Sequence, residues 1–380
     1  MTENPGLLAI TSLDCRRIRL DFRMNVAHSL ASRTFSESII VTIKSASGVT
    51  GYGEGVPRTY VTGETTAGAH VFAETLLSDL RDRTFSVPHE VITYLERVGS
   101  IAPGNLNPAA FCAVELALLD CAGKHWALPV AEMIGLGMSE EPLRYSLVVP
   151  LLEDMLEAFL LHAAAFDFQQ VKVKVDSHDP GSRVRWVRKF LGETVEIRID
   201  ANCSWNRKNA REYTHEMSDL GVVSIEQPLV ADDLAGSAEL RREGLIPIIL
   251  DESVCSTDDV ERIAACGAAD VINVRVSKCG GLTGSRRVIK TALRHGLNVQ
   301  LGAQVGESSI LTAAGSHLAA GTPAFRWLEG CFGGHLIMTD VCDEPLQFGA
   351  GGLFSPPAGN GLGVEVNGML VKETTVPGTD

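Results

Sequence analysis

Long apolar stretches are missing from this sequence. No run approaches the ~18 consecutive apolar residues of a membrane span, and the opening MTENPGLLAI lacks the charged and apolar regions of a secretory leader. Basic residues are in the minority: 33 Lys and Arg against 47 Asp and Glu give a net charge of −14 and a pI near 5.2. Broad binding to nucleic acid or to an anionic membrane needs a basic face, so neither is expected as a partner. A small anionic substrate stays open, because a bound metal reverses the field locally. The nine cysteines include no CxxC pair and no metal-finger spacing, which points to reduced, mostly buried thiols in a cytoplasmic protein. Low-complexity tracts and phosphate-binding glycine loops are also missing. GYGEG at 51–55 follows a strand but opens no helix, and reads as a turn.

What is there is a folding chain. With 380 residues, 45% hydrophobic and 21% charged, the sequence is long enough for a large core and for two domains. SIIVTIK (38–44) and VTGYGE (49–54) read as strands, and 109–125 is Ala- and Leu-rich at helical spacing. Strands followed by helices predict an α+β domain over 1–135. From Leu143 short β-branched runs alternate with helix-length amphipathic stretches. The runs are RYSLVV, QVKVKV, VEIRID, VVSIE, IPIIL, DVINVRV, NVQLGA and FRWLEG. Eight strands separated by seven helices predict an α/β fold, a (β/α)8 TIM-type barrel, over 136–345. The segment 346–380, Gly- and Pro-rich between Phe348 and Gly363, is expected to return to the first domain and complete it as a cap.

Single charged residues punctuate these runs. Lys174, Asp200, Glu226, Asp251 and Lys278 follow one another at intervals of 25 to 27 residues, each at the end of a strand. Glu307 closes the seventh run. Catalytic groups of this barrel gather at the C-terminal strand ends. One carboxylate there is commonly the N-cap of the next helix. Three on adjacent strands repel unless a cation neutralises them, and an all-oxygen set selects Mg²⁺ or Mn²⁺. Lys172 and Lys174, two apart, point to one face, and the valines at 171, 173 and 175 to the other. Strands two and six lie opposite each other in an eight-strand ring, so Lys174 and Lys278 are expected to face a substrate from two sides. A lysine among cations can serve as a neutral base, and the metal stabilises the enolate formed when a proton α to a carboxylate leaves. A metal-free Schiff-base aldolase and an idle binding protein are the readings from other classes; the first leaves the carboxylate trio unexplained, and the presence of every charge in the set argues against the second.

At VKVKV (Lys172, Lys174), IDAN (Asp200, Asn202), EQP (Glu226, Gln227), DES (Asp251, Glu252) and SKCGGL (Lys278) the sequence resembles the enolase superfamily, in its muconate-lactonizing-enzyme subgroup. The resemblance runs over the whole chain. It implies a barrel with an α+β cap, Asp200, Glu226 and Asp251 as Mg²⁺ ligands, and Lys174 and Lys278 as acid/base residues with Lys172 beside them. Asn202 and Glu252 stand next to the ligands in these motifs. An isomerase acting on a small carboxylate, a cycloisomerase or a racemase/epimerase, is the expected enzyme, and a homo-oligomer the expected assembly. The subgroup also contains o-succinylbenzoate synthases and dipeptide epimerases. The epimerases carry an Asp-x-Asp pair at strand eight; here LEGCFGG offers Glu329 and Cys331, which leaves that pair incomplete. A substrate without a free ammonium is therefore expected to be preferred. The cap loops near Met24–His28 and Pro57–Gly63 suggest His28, Arg58 and Tyr60 as substrate contacts, and Glu307 as a supporting residue. Glu115 and Asp120 read as solvated or structural.

Overall fold

The computed structural model describes residues 6–28, 31–100, 107–139, 141–151 and 156–377; the side chain of His28, an expected substrate contact, lies outside the described set. The cap begins as an antiparallel sheet of Leu8–His28, Ala31–Ser45, Thr50–Gly55 and the short Thr84–Phe85. The 50–55 strand lies on the helix Pro108–Trp126, and the approach is close. A Cβ at Gly53 would stand 2.0 Å from the Ala113 carbonyl oxygen, and one at Gly55 2.0 Å from that of Ala109. GYGEG thus belongs to the strand read at 49–54, and the reading of its glycines as a turn does not hold. Its alternate glycines give the Ala-rich helix room to sit directly on the backbone.

The barrel strands are, in order, Leu147–Val149, Gln170–Lys174, Glu196–Asp200, Ser224–Glu226, Ile248–Leu250, Val271–Val274, Asn298–Leu301 and Phe325–Leu328. They run parallel, each beside the next. A parallel bridge between Tyr145 and Leu328 closes the ring, with Ser146 N donating to Leu328 O at 2.8 Å. Seven helices connect them: 156–164, 180–191, 207–219, 234–243, 257–266, 281–294 and 309–320. Val171 and Val173 are fully buried on the face away from Lys172 and Lys174, as the two-residue repeat requires.

Cap and barrel dock through carboxylates at helix N-termini, where backbone N–H groups lack partners within the helix. Glu115, on the cap helix 108–126, accepts from Leu282 N, from Thr283 Oγ1 and from Thr283 N at 3.1 Å, at the start of helix 281–294. Glu54, on the 50–55 strand, accepts from Ser308 N at 2.9 Å and Ser308 Oγ at 2.7 Å, at the start of helix 309–320. Asp120 accepts from Tyr52 N, Lys124 Nζ and, in the returning C-terminal segment, Leu362 N. That segment also reaches the first cap strand, where Val376 N donates to Arg17 O at 2.8 Å. All nine cysteines are free thiols, six of them buried. No helix among the described residues is long and apolar enough to cross a membrane.

Candidate active site

Strand register assembles the polar centre. Lys174 pairs with Asp200 and Asp200 with Glu226 across strands two, three and four, so these three ends lie level. Asp251 follows strand five directly. All three carboxylates are fully buried. Lys174 Nζ donates to Asp200 Oδ2 at 2.9 Å and to Asn202 Oδ1 at 2.6 Å. Asn202 in turn donates to Glu252 Oε1 at 3.0 Å. Burial, reinforced by the charges of Asp200 and Glu226, pushes the Glu252 carboxyl up to about 7.

Lys172 stands deeper. Its ammonium lies 3.4 Å from Asp200 and 3.3 Å from both oxygens of Glu226, and donates to Glu329. Burial opposes its charge, but Glu226, Glu329 and Asp200 outweigh that and hold it above the usual lysine range. Glu226 also accepts from Asn273 at 3.0 Å and Gln300 at 2.8 Å. The other Glu329 oxygen accepts from Arg198 at 2.8 Å, and Arg198 donates further to Gln300 and to Ser146. Glu329 is thus enclosed by two cations; despite burial they hold its carboxyl below the usual range.

One expected arrangement differs. Strand six ends at Val274, and 276–280 form a turn, with Cys279 N donating to Arg275 O at 2.9 Å. The run VINVRVS is therefore not extended to Ser277, and Lys278 Nζ donates to Asp251 Oδ1 and to the carbonyls of Asp251 and Asn273. Arg275 takes the strand-end place. It donates to Asp251 and, at 3.3 Å, to Gln304 Oε1. Arg275, Arg198, Asn273, Gln300 and Gln304 were not picked out from sequence. The signal was present: Arg275 follows Asn273 by two, as Lys174 follows Lys172, and Arg198 precedes Asp200 by two.

Above the carboxylates is a cavity of about 40 Å³ lined by Lys172, Lys174, Asn202, Glu252, Arg275, Gln304, Glu329 and Tyr60. Tyr60 thus brings the cap loop to the site. Arg58 spends its donors on Ser36 Oγ and the carbonyls of Glu37, Pro57 and Val305, and ties that loop to the one after strand seven. Glu307 and Cys331 share a small crevice with Tyr145 and Gly330. Burial pushes the Glu307 carboxyl up to about 8. A second, larger cavity of about 360 Å³ adjoins Lys174 and is walled by Met24 and Val26 of the cap with Phe159, Phe166, Phe168 and Phe332 of the barrel. Among the described residues lining it, Lys174 and two histidines, His162 and His335, are the only titratable side chains.

The donor set suits a hard divalent cation, with three buried carboxylates and nothing softer than oxygen. As the side chains stand, Lys172 lies between Asp200 and Glu226 while Arg275 and Lys278 hold Asp251. Among the described residues no three acidic, His or Cys side chains meet at one point.

A closed parallel barrel with an α+β cap and charged groups gathered at its C-terminal strand ends defines a barrel enzyme with its active site at that end. Residues 16–135 match the family Mandelate racemase / muconate lactonizing enzyme, N-terminal domain, and residues 154–370 match Enolase C-terminal domain-like. The chain belongs to this family and is an enolase-superfamily isomerase. Muconate cycloisomerase 1 of Rhodococcus opacus is 32% identical over 94% of this chain and 96% of its own. The N-succinyl-L-Arg/Lys racemase of Bacillus cereus is 29% identical over 97% of this chain and 98% of its own. Its crystal structure superposes with a TM-score of 0.87, covering 97% of this chain and 98% of that one. A dipeptide epimerase from Cytophaga hutchinsonii, complexed with Mg and D-Ala-L-Val, shares the fold at a TM-score of 0.87 and 24% identity, over 96% and 98% of the two chains.

Proposed function

We propose that Asp200, Glu226 and Asp251 hold Mg²⁺, with Mn²⁺ able to take the same oxygens, and that Lys174 moves the proton α to the substrate carboxylate. The observation that carries the reading is the position of Lys174, in contact with a buried carboxylate of the trio and lining both cavities. A bound divalent cation supplies positive charge where the enolate develops. Asn202 and Asp200 aim the Lys174 ammonium, and Tyr60 closes the polar cavity from the cap.

The substrate is an acid with a bulky apolar group and no free ammonium. Phenylalanines, Met24 and Val26 offer an apolar group a dry wall, while a basic side chain would find no carboxylate there. Glu329, the one carboxylate at strand eight, is already held by Lys172 and Arg198. A substrate ammonium would have to compete with both, at the cost of burying charge without a full partner. The N-succinyl group and the muconate in the names of two relatives are in keeping with a substrate that lacks a free ammonium, while the Arg/Lys side chain of the first differs from the apolar group proposed here.

The test is deuterium uptake at the α-carbon in D₂O with Mg²⁺, for N-succinyl-L-phenylalanine, N-succinyl-L-arginine, muconolactone and L-Ala-L-Phe. Uptake is expected to stop after EDTA treatment, and kcat/KM to favour the acylated apolar acid or the lactone. A tenfold preference for the unblocked dipeptide or the arginine derivative would overturn the substrate reading, and full activity after exhaustive chelation the metal reading.

A further inference from the structure

Lys278 and Arg275 both hold Asp251, but from different sides. An ammonium has three donors, and those of Lys278 are all engaged: with Asp251 O at 2.7 Å, Asp251 Oδ1 at 2.7 Å and Asn273 O at 3.0 Å. Two of these acceptors are backbone carbonyls, which cannot turn away to release it. Lys278 is 1% exposed and is not among the residues lining either cavity. Arg275 does line the polar cavity, across the barrel from Lys174. Its side chain shares the interior face with Asn273, whose amide reaches Glu226. Its Nε is buried and makes no protein hydrogen bond, so the fork keeps a donor beyond those given to Asp251 and Gln304.

We infer that Arg275 is the cation that meets the substrate from the strand-six side, and that Lys278 is a positioning residue that fixes Asp251. The inference rests on the reading of Lys174 as the proton-moving group. A guanidinium has five donors and no acceptor. Arg275 therefore binds the carboxylate, or the oxygen on which enolate charge collects, and takes no proton from the second face of the α-carbon. The site moves a proton on one face only.

One-face chemistry suits ring closure better than inversion of a stereocentre. In ring closure, a carboxylate oxygen of the substrate adds to the β-carbon of an unsaturated acid and one C–O bond forms. The π pair moves to the α-carbon and its carboxylate, and Lys174 donates its proton to that carbon. No atom leaves. The reverse reaction returns the α-proton to Lys174 as the C–O bond breaks.

The experiment compares the separate enantiomers of N-succinylphenylalanine for α-deuterium uptake in D₂O with Mg²⁺. Wild type is expected to exchange one enantiomer with retained configuration, faster than the other by about 100-fold or more, the scale of a lost general base. Arg275→Lys places an amine on the opposite face and is expected to open exchange of the other enantiomer and interconvert the two. Lys278→Met is expected to keep the enantiomer preference while weakening Mg²⁺ binding in calorimetry. Comparable exchange of both enantiomers by wild type, with Lys278→Met losing one of them, overturns the inference. So does an Arg275→Lys variant that still exchanges the first enantiomer but never the second, or unweakened Mg²⁺ binding by Lys278→Met. A wild type that exchanges neither enantiomer counts against the proposed function instead. The placement is then decided by a crystal structure with Mg²⁺ and malonate: Arg275 against the anion supports the inference, and Lys278 against it overturns it.

Discussion

Glu329 keeps two buried cations company, Lys172 and Arg198. Replacing it by Gln leaves both with less counter-charge at a largely buried position. Breaking a buried pair from one side costs about 3–5 kcal/mol, and Glu329→Gln is expected to lower the urea midpoint accordingly. An unchanged midpoint would mean that Glu226 and Asp200 suffice for Lys172. Lys174 has the opposite profile. Lys174→Ala is expected to abolish α-proton exchange, by about 100-fold or more, while circular dichroism and thermal melting stay close to wild type. Loss of the fold together with activity would make Lys174 a structural residue. Asp200→Asn, Glu226→Gln and Asp251→Asn should each weaken Mg²⁺ binding in calorimetry, since a hard-cation site loses affinity with each charge removed.

The helix 281–294 shows how one element depends on another domain. It starts at Gly280 with no side-chain cap of its own, and the cap domain's Glu115 supplies the acceptor. Gly281 has φ 78°, and a Cβ there would lie 1.9 Å from a Glu115 oxygen. The paired glycines after Lys278 therefore make room for this carboxylate. Glu115→Ala leaves buried N–H donors without partners, a cost of about 1–3 kcal/mol, measurable as a drop in unfolding free energy. A neutral result would require water to replace the carboxylate. Gly53→Val is expected to be worse, because its side chain meets the backbone of helix 108–126; soluble yield and melting temperature report it. From sequence, Glu115 read as solvated or structural, and nothing along the chain revealed its distant partners Leu282 and Thr283.

At the scale of the whole molecule, the cap–barrel contact gives stability a pH dependence. Burial pushes the carboxyls of Glu54 and Glu115 up to about 7 each, from the ordinary 4.5. Between these limits the native state holds protons that the unfolded chain has already released. Stability therefore falls as pH rises from about 4.5 through 7. The urea midpoint is expected to decline from pH 5 to pH 8, and the decline to flatten in Glu54→Gln/Glu115→Gln. An equally steep decline in the double variant would place its source elsewhere.

The alternation of β-branched runs with helices, and charges recurring every 25 to 27 residues, were enough to read the barrel and the carboxylate trio along the chain. Periodicity is a local property, and a strand end is where a run stops. The place where strand six stops was not legible, because Val276 continues the β-branched pattern while the backbone has already turned. That turn, and the packing that engages every donor of Lys278, decide which cation reaches the cavity. The close seat of the 50–55 glycines on helix 108–126, the enclosure of Glu329 by Lys172 and Arg198, and the aromatic wall beside Lys174 likewise depend on groups far apart in sequence. Only the folded chain brings them within hydrogen-bonding or van der Waals distance.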